Sequence, residues 1–439
     1  MNKTIVIKKK INDFNKTITV SSDKSLSIRW VLFSSIASGK STAYNLLMSE
    51  DVLAAINAVR KLGIKVKITK KFCQVFGKGI EGFKYKKNIT INAKNSGTLG
   101  RLILGLLINS KYKIKLIGDK SLSKRDFTRV AVPLSKFGAK FNLKNHKTLP
   151  LTIKGSEKII PINYYENKGS AQCKSSIIFA GLRTSGTTFL KAKKSRNHTE
   201  LLCKYLKLPV KIRNLKNFDL IKISKAKKIK PLNYKIPSDI SSSAFFIVLT
   251  ILAKNSKLVI KNVNINPSRI GIITILKMMG AKIEYKNKKI YKGEEIADIY
   301  TESTKNLKSI NCPTSLNSGA IDEFLVIFLV AAKAKGISIF KNLDELNQKE
   351  SPRLKWGSKI LNLMGIKTIT TNNSIKIFGD PNLNINKQVL IKNYLKDHRV
   401  FMTSVIAGLS FGGYWKIYDK DSINTSFPSF LNTLKSLTK

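Results

Sequence analysis

The chain has 439 residues, 43% of them apolar, with 80 Lys and Arg against 26 Asp and Glu, a formal net charge of +54. That length holds two or more domains with full cores, and the apolar fraction excludes a disordered chain. Uninterrupted apolar runs, such as Ala244 to Leu249, are far too short to cross a bilayer, so no membrane association is expected. The cations are mostly Lys spread along the whole chain, not gathered in one tail. Affinity for phosphate backbones needs clustered charge, so no nucleic-acid partner is expected from the total alone. Four scattered cysteines (Cys73, Cys173, Cys203, Cys312) form no CxxC pair, and they read as reduced thiols of a cytoplasmic protein without a metal site.

Met1 to Lys8 alternates like a strand and lacks the apolar core of a secretory signal. A second short strand, Ile18 to Val20, leads into Ser22-Asp23-Lys24-Ser25-Leu26-Ser27-Ile28-Arg29 and then an apolar helix. Unpaired N–H groups at such a helix start attract anions, and Lys24, Arg29 and Ser25 add charges and a hydroxyl. A capped surface helix would carry the same residue types. The pattern of apolar helix, small or polar turn and strand then recurs. It runs over Leu32 to Leu47, Leu102 to Ile117, Ile177 to Leu190, Phe246 to Ile260, Phe324 to Phe340 and Val405 to Tyr418. In the first of these the turn is expected at Ser38-Gly39-Lys40. Between them, Leu62-Gly63, Phe137-Gly138, Met279-Gly280 and Met364-Gly365 each end an amphipathic helix with a glycine C-cap. Six such units predict an α/β protein of two domains with three units each, with a boundary near Pro237-Ser238-Asp239. Gly39-Lys40-Ser41 is not a P-loop, because Ser34 stands where the motif needs its first glycine and a helix precedes it.

Polar clusters interrupt the apolar pattern at Asn95 to Arg101, Ser121 to Arg125, Ser170 to Ser175, Asp322-Glu323, Lys349 to Arg353 and Asp397-His398-Arg399. Each alone is compatible with a solvated helix cap. If the repeats are related by pseudo-symmetry, their helix starts point one way and make a strongly anion-attracting site. Asp322 and Glu350, set among the cations, are then candidates for base and acid.

Taken together and in order, these segments resemble the 5-enolpyruvylshikimate-3-phosphate synthase family. The resemblance also takes in Asn266-Pro267, Arg269, Gly271 and Ser426-Phe427-Pro428, and it spans nearly the whole chain. It implies two domains, each of three βαβαββ units in an inside-out α/β barrel, joined by a double-crossover hinge. It places residues 22–237 in one domain and 1–21 with 238–439 in the other, with the active site in the interdomain cleft. The implied reaction moves the enolpyruvyl group of phosphoenolpyruvate to the 5-hydroxyl of shikimate 3-phosphate, with no cofactor or metal, in a monomer.

The resemblance further implies that Lys24, Gly97, Arg125, Gln172, Arg353 and Arg399 contact phosphoenolpyruvate. Lys24, Ser25, Arg29, Ser170, Ala171, Gln172, Arg196, Asp322 and Lys349 are the implied contacts of shikimate 3-phosphate. Asp322 takes the proton from the attacking oxygen, and Glu350 with Lys24 handles protons at the methylene carbon. Pro352 stands where the family usually has aspartate, and Asp126 where proline is usual. Thr425 occupies a position that is lysine in one branch of the family. Two alternatives stay open. One is the sister enolpyruvyl transferase acting on UDP-N-acetylglucosamine, which usually carries a cysteine in the loop occupied here by Ser121 to Asp126. The other is a basic nucleic-acid-binding protein of related repeat fold.

Overall fold

A computed structural model describes residues 3–437; Met1, Asn2, Thr438 and Lys439 lie outside the described residues. The opening strand covers Ile5–Ile7. The chain divides into two compact units. One holds Ser22–Ile236 with Lys292–Glu294, and the other holds the first 21 residues, Pro237–Tyr291 and Glu295–Lys439.

In the Ser22–Ile236 unit each repeat gives the same four-stranded sheet. A leading strand runs parallel to the strand after the first helix, which pairs antiparallel with the second strand of a hairpin whose first strand forms the sheet edge. The first repeat borrows its leading strand from the end of the unit, where Tyr234–Lys235 pairs with Ala43 and Tyr44. The three first helices, Lys24–Ser35, Gly97–Leu106 and Ala171–Gly181, are buried almost all round and pack on one another, with the sheets outside them. Gly105 permits that approach, since a β-carbon there would lie 2.1 Å from the Ser176 carbonyl oxygen. The second helix of each repeat is amphipathic and covers one side only.

The other unit repeats the scheme with modifications. Ile240–Leu252, Phe324–Lys333 and His398–Phe411 are its buried central helices. Asn15–Ile18 leads its first sheet, parallel to Lys257–Ile260. Ile5–Ile7 closes its last sheet, antiparallel to Trp415–Ile417. In the middle sheet the leading strand shrinks to isolated bridges at Lys308 and Asn311. The strands thus fall into six separate sheets around helical centres, and no closed barrel forms among the described residues.

The four predicted C-cap glycines all take positive φ: Gly63 at 85°, Gly138 at 108°, Gly280 at 93° and Gly365 at 90°. The third repeat uses Lys207 at φ 53° in that role. The turn expected at Ser38-Gly39-Lys40 lies earlier. Ile36 ends the helix and Ser38 already pairs with Lys78. No helix among the described residues is long and apolar enough to cross a membrane. All four cysteines are buried and free, and burial pushes the Cys73 and Cys312 thiols up to about 11.

Candidate active site

In the Ser22–Ile236 unit the site residues gather where its three central helices begin. Asp23 caps the first, its carboxylate accepting from the Leu26 N–H at 2.8 Å. Ser96 and Ser170 cap the other two through Leu99 and Cys173 N–H. Lys24, Gly97 and Ala171 are therefore the first residues of the three helices, where N–H groups and helix dipoles favour anions. Lys24 Nζ lies 2.9 Å from Asp51, an acidic residue in the first turn of the helix Glu50–Lys61.

Arg29 is buried and donates to Thr199 Oγ1 at 2.9 Å, Ser175 Oγ at 3.2 Å and the Ser25 carbonyl at 3.1 Å. Burial pulls its guanidinium down to about 10, with Glu200 and Asp23 working against that shift. The half-buried Arg196 stands on the loop before the helix His198–Tyr205, close enough for its charge to act on Arg29. Gln172 accepts from Arg101 at 2.7 Å and donates to Thr98 at 3.1 Å. Arg125 donates to Asn95 at 2.8 Å and to Ser121 at 3.3 Å, beside Gly97. A β-carbon on Gly97 would sit 2.9 Å from Arg101 Nη1 and 3.2 Å from Arg125 Nη1. Gly97→Ala is expected to push both guanidinium groups aside.

In the other unit Arg353 is the hub. It is 2% exposed and faces three carboxylates. Its Nε lies 2.9 Å from Asp397, its Nη1 3.1 Å from Asp322, and its Nη2 donates to Glu350. Burial disfavours the charge, yet Asp397, Glu350 and Asp322 together hold the guanidinium well above its usual range. Asp397 is driven in the opposite sense. Burial raises its carboxyl, but Arg353 overcomes this and holds it below the ordinary carboxylate range. Asp397 also accepts from Ser351 Oγ at 2.9 Å and from the Arg399 N–H at 2.9 Å, capping the helix His398–Phe411.

Asp322 receives a second cation, Lys349, at 3.4 Å. Its backbone carbonyl accepts from Arg399 Nη1 at 2.6 Å. Arg399 also lies 3.6 Å from Glu323, which accepts from Ser241. Arg269 in turn donates to Ser241 at 2.6 Å. The unit therefore joins Asp322, Lys349, Glu350, Arg353 and Arg399 in one charged network.

Both departures from the family pattern have local accounts. Pro352 sits at the N-cap of the helix Arg353–Leu363 with φ −70°, the angle its ring imposes. Its carbonyl still accepts from Trp356, and Arg353 is held by Asp397 from another segment. Asp126 lies two residues before the helix Thr128–Ser135 and ties down its first residue, accepting from the Thr128 N–H at 2.7 Å and its hydroxyl at 2.6 Å. Burial raises the Asp126 carboxyl, but those two bonds hold it below its usual range.

Two positioning partners, Asp51 and Thr199, fall outside the residues singled out from the sequence, whereas Arg101 and Asp397 lay in its polar clusters without an assigned role. Arg101 carried a signal, since it lies four positions after Gly97 on one helix face. Asp51 has the sequence context of an acid in the first turn of a helix, and Asp397 that of a helix cap.

The EPSP synthase (3-phosphoshikimate 1-carboxyvinyltransferase) family model matches residues 8–434. The 3-phosphoshikimate 1-carboxyvinyltransferase of Caldicellulosiruptor bescii is 37% identical over 427 residues, covering 97% of each chain. The protein of that name from Sulfurihydrogenibium sp. is 36% identical over 441 residues, the full length of both. Among solved structures, EPSP synthase from Acinetobacter baumannii superposes with a TM-score of 0.86 at 33% identity, covering 99% of this chain and 98% of that one. The enolpyruvyl transferase NikO from Streptomyces tendae shares the fold, with a TM-score of 0.76 at 13% identity, over 100% of this chain and 98% of its own. The chain belongs to the EPSP synthase family.

Proposed function

We propose that the charged networks of the two units serve one reaction, transfer of the enolpyruvyl group of phosphoenolpyruvate to the 5-hydroxyl of shikimate 3-phosphate. That is the family's step in aromatic amino-acid biosynthesis. The observation that carries the assignment of roles is the convergence of Asp322 and Glu350 on one guanidinium, Arg353. Two carboxylates fixed next to each other among cations suit a reaction that moves protons at two atoms while handling anionic substrates.

The acceptor oxygen attacks C2 of phosphoenolpyruvate, and Asp322 takes its proton. C3 takes a proton from the Glu350 and Lys24 pair, giving a tetrahedral adduct. Loss of a C3 proton and breakage of the C2–O bond to phosphate then restore the double bond. Lys24, Arg125, Arg353 and Arg399 hold the phosphate and carboxylate of phosphoenolpyruvate, bordered by Gly97 and Gln172. Ser25, Arg29, Ser170, Ala171, Gln172, Arg196 and Lys349 hold shikimate 3-phosphate together with Lys24 and Asp322. Arg353 does double duty, since the same group that meets phosphoenolpyruvate orders Asp322 and Glu350. The scheme uses positioning and charge compensation and calls on no metal or cofactor. The enzyme acts as a cytoplasmic monomer on these two small anions.

Arg29 tests the acceptor assignment. Three of its five N–H groups are directed at Thr199, Ser175 and Ser25. Lysine cannot keep that fork and reach a carboxylate at once. Arg29→Lys is expected to raise the KM for shikimate 3-phosphate by about 10- to 100-fold and leave that for phosphoenolpyruvate within about 3-fold. An equal rise in both constants contradicts the assignment. UDP-N-acetylglucosamine is not favoured as acceptor: the family match is to EPSP synthase, and the loop Ser121 to Asp126 has no cysteine.

A further inference from the structure

The third sheet of the Ser22–Ile236 unit has an outer face of rings and cations, a character shared by the first sheet, where Tyr44, Phe72 and Phe76 stand among Lys40, Lys65 and Lys67. Its strands, in spatial order, are Asn163–Glu166, Thr187–Lys193, Phe218–Ser224 and Val210–Asn214. Alternation sends one side of each strand to the core and the other to solvent. The outward side carries three rings, Tyr165, Phe189 and Phe218, and five exposed cations, Lys191, Lys193, Lys211, Arg213 and Lys222. The two acidic residues of these strands, Glu166 and Asp219, are buried on the inner side.

Rings and cations alternate across the strands. Phe189 pairs with Lys222, which pairs with Lys211; Tyr165 pairs with Lys191, and Phe218 with Lys193. Tyr165 and Phe189 are 47% and 50% exposed, far above what core aromatics show. The Lys191 ammonium lies 5.1 Å from the Tyr165 ring and 4.7 Å from Phe218, while Lys222 lies 5.7 Å from Phe189. Together these strands line a groove of about 610 Å³. The matching face of the second sheet is also basic, with Lys115, Lys140 and Lys154 exposed, but its outward positions carry no ring.

We infer that this sheet face binds single-stranded nucleic acid, with bases stacked on Tyr165 and Phe189 and phosphates on the interleaved cations. Four-stranded sheets with exposed rings stack unpaired bases, and such stacking tolerates any sequence. Total charge does not make a nucleic-acid site, but clustered charge with stackable rings and no acid does. A duplex hides its base faces, so the rings favour single strands. An anionic lipid surface would satisfy the cations without needing flat ring faces.

The test is fluorescence anisotropy of the full chain with a labelled 20-nucleotide oligo-dT, a 20-base-pair duplex and phosphatidylserine vesicles over a salt series. The single strand should bind most tightly, with log K falling against log salt with a slope of about −3.5 for five cations. Tyr165→Ala/Phe189→Ala should weaken it by about 30-fold or more. A charge-removing control on the second sheet, Lys115→Gln/Lys140→Gln, should cost less than about 3-fold. Lys191→Gln/Lys222→Gln should flatten the slope by about 1.4. All three double variants should retain enolpyruvyl transfer, which reports folding independently of binding. Equal weakening by the ring and control variants would mean diffuse charge and overturn the site. Tighter binding to vesicles than to oligo-dT, lost in the same ring variant, would overturn it in favour of a lipid surface.

Discussion

Asp322→Ala should reduce kcat by about 10²- to 10⁴-fold, the range that removal of a positioned proton acceptor costs. The reason is local. Asp322 is held by Arg353 at 3.1 Å and Lys349 at 3.4 Å, so its carboxylate is fixed before any substrate arrives. Truncation leaves Arg353 with Asp397 and Glu350, so the fold survives and the melting temperature should move by only a few degrees. Asp322→Asn separates two roles. The amide can still meet the acceptor's hydroxyls but cannot take a proton, so kcat should fall nearly as far while the KM for shikimate 3-phosphate changes less than in Asp322→Ala. Rapid-quench and steady-state kinetics on both variants check this. A variant with kcat within about 10-fold of the parent would remove Asp322 from the base position.

The second large effect is on stability. Asp397→Ala should destabilise its unit by about 1–3 kcal/mol, because it leaves the buried Arg353 Nε–H and the Ser351 hydroxyl without their acceptor while Asp322 and Glu350 still face the guanidinium. Asp397 is fully buried and serves three partners at once: Arg353, Ser351 and the Arg399 N–H. Loss of the helix cap adds about 1 kcal/mol. Denaturant unfolding should show the drop as a lower midpoint at unchanged slope.

The same residue sets a pH dependence. Its carboxyl is held below its unfolded value of about 3.9, so its contribution is complete above that pH and is lost as pH falls through the lower folded value. Stability of the parent should therefore decline as pH drops below about 4, and Asp397→Asn should start lower and lose less over that window. A parallel decline in both proteins would contradict the assigned partnership.

Much of the fold could be read locally. The buried helices announce themselves as apolar runs, and Gly63, Gly138, Gly280 and Gly365 mark helix ends because each needs positive φ. The third repeat hid its helix end, since Lys207 takes that conformation without being glycine. The first 21 residues could not be placed by pattern, because Ile5–Ile7 and Asn15–Ile18 find their partners hundreds of residues away, at Trp415–Ile417 and Lys257–Ile260. A strand's period tells which face is buried but not which strand it joins.

The site was legible to a different depth. Lys24, Gly97 and Ala171 stood out because helix starts follow capping residues in a readable way. What each cation pairs with did not. Lys24 meets Asp51 and Arg353 meets Asp397 only through tertiary packing, over separations no spacing rule covers. Pro352 illustrates the gap. In sequence it looks like a lesion beside a binding arginine, whereas in the structure Arg353 takes its anchor from Asp397, on a different helix.

The most direct measurement is phosphate release from phosphoenolpyruvate by the purified chain, with shikimate 3-phosphate and UDP-N-acetylglucosamine supplied separately as acceptors. The assignment predicts release with shikimate 3-phosphate alone, abolished in Asp322→Ala. Release with UDP-N-acetylglucosamine, or silence with both acceptors from protein that unfolds cooperatively, would contradict it.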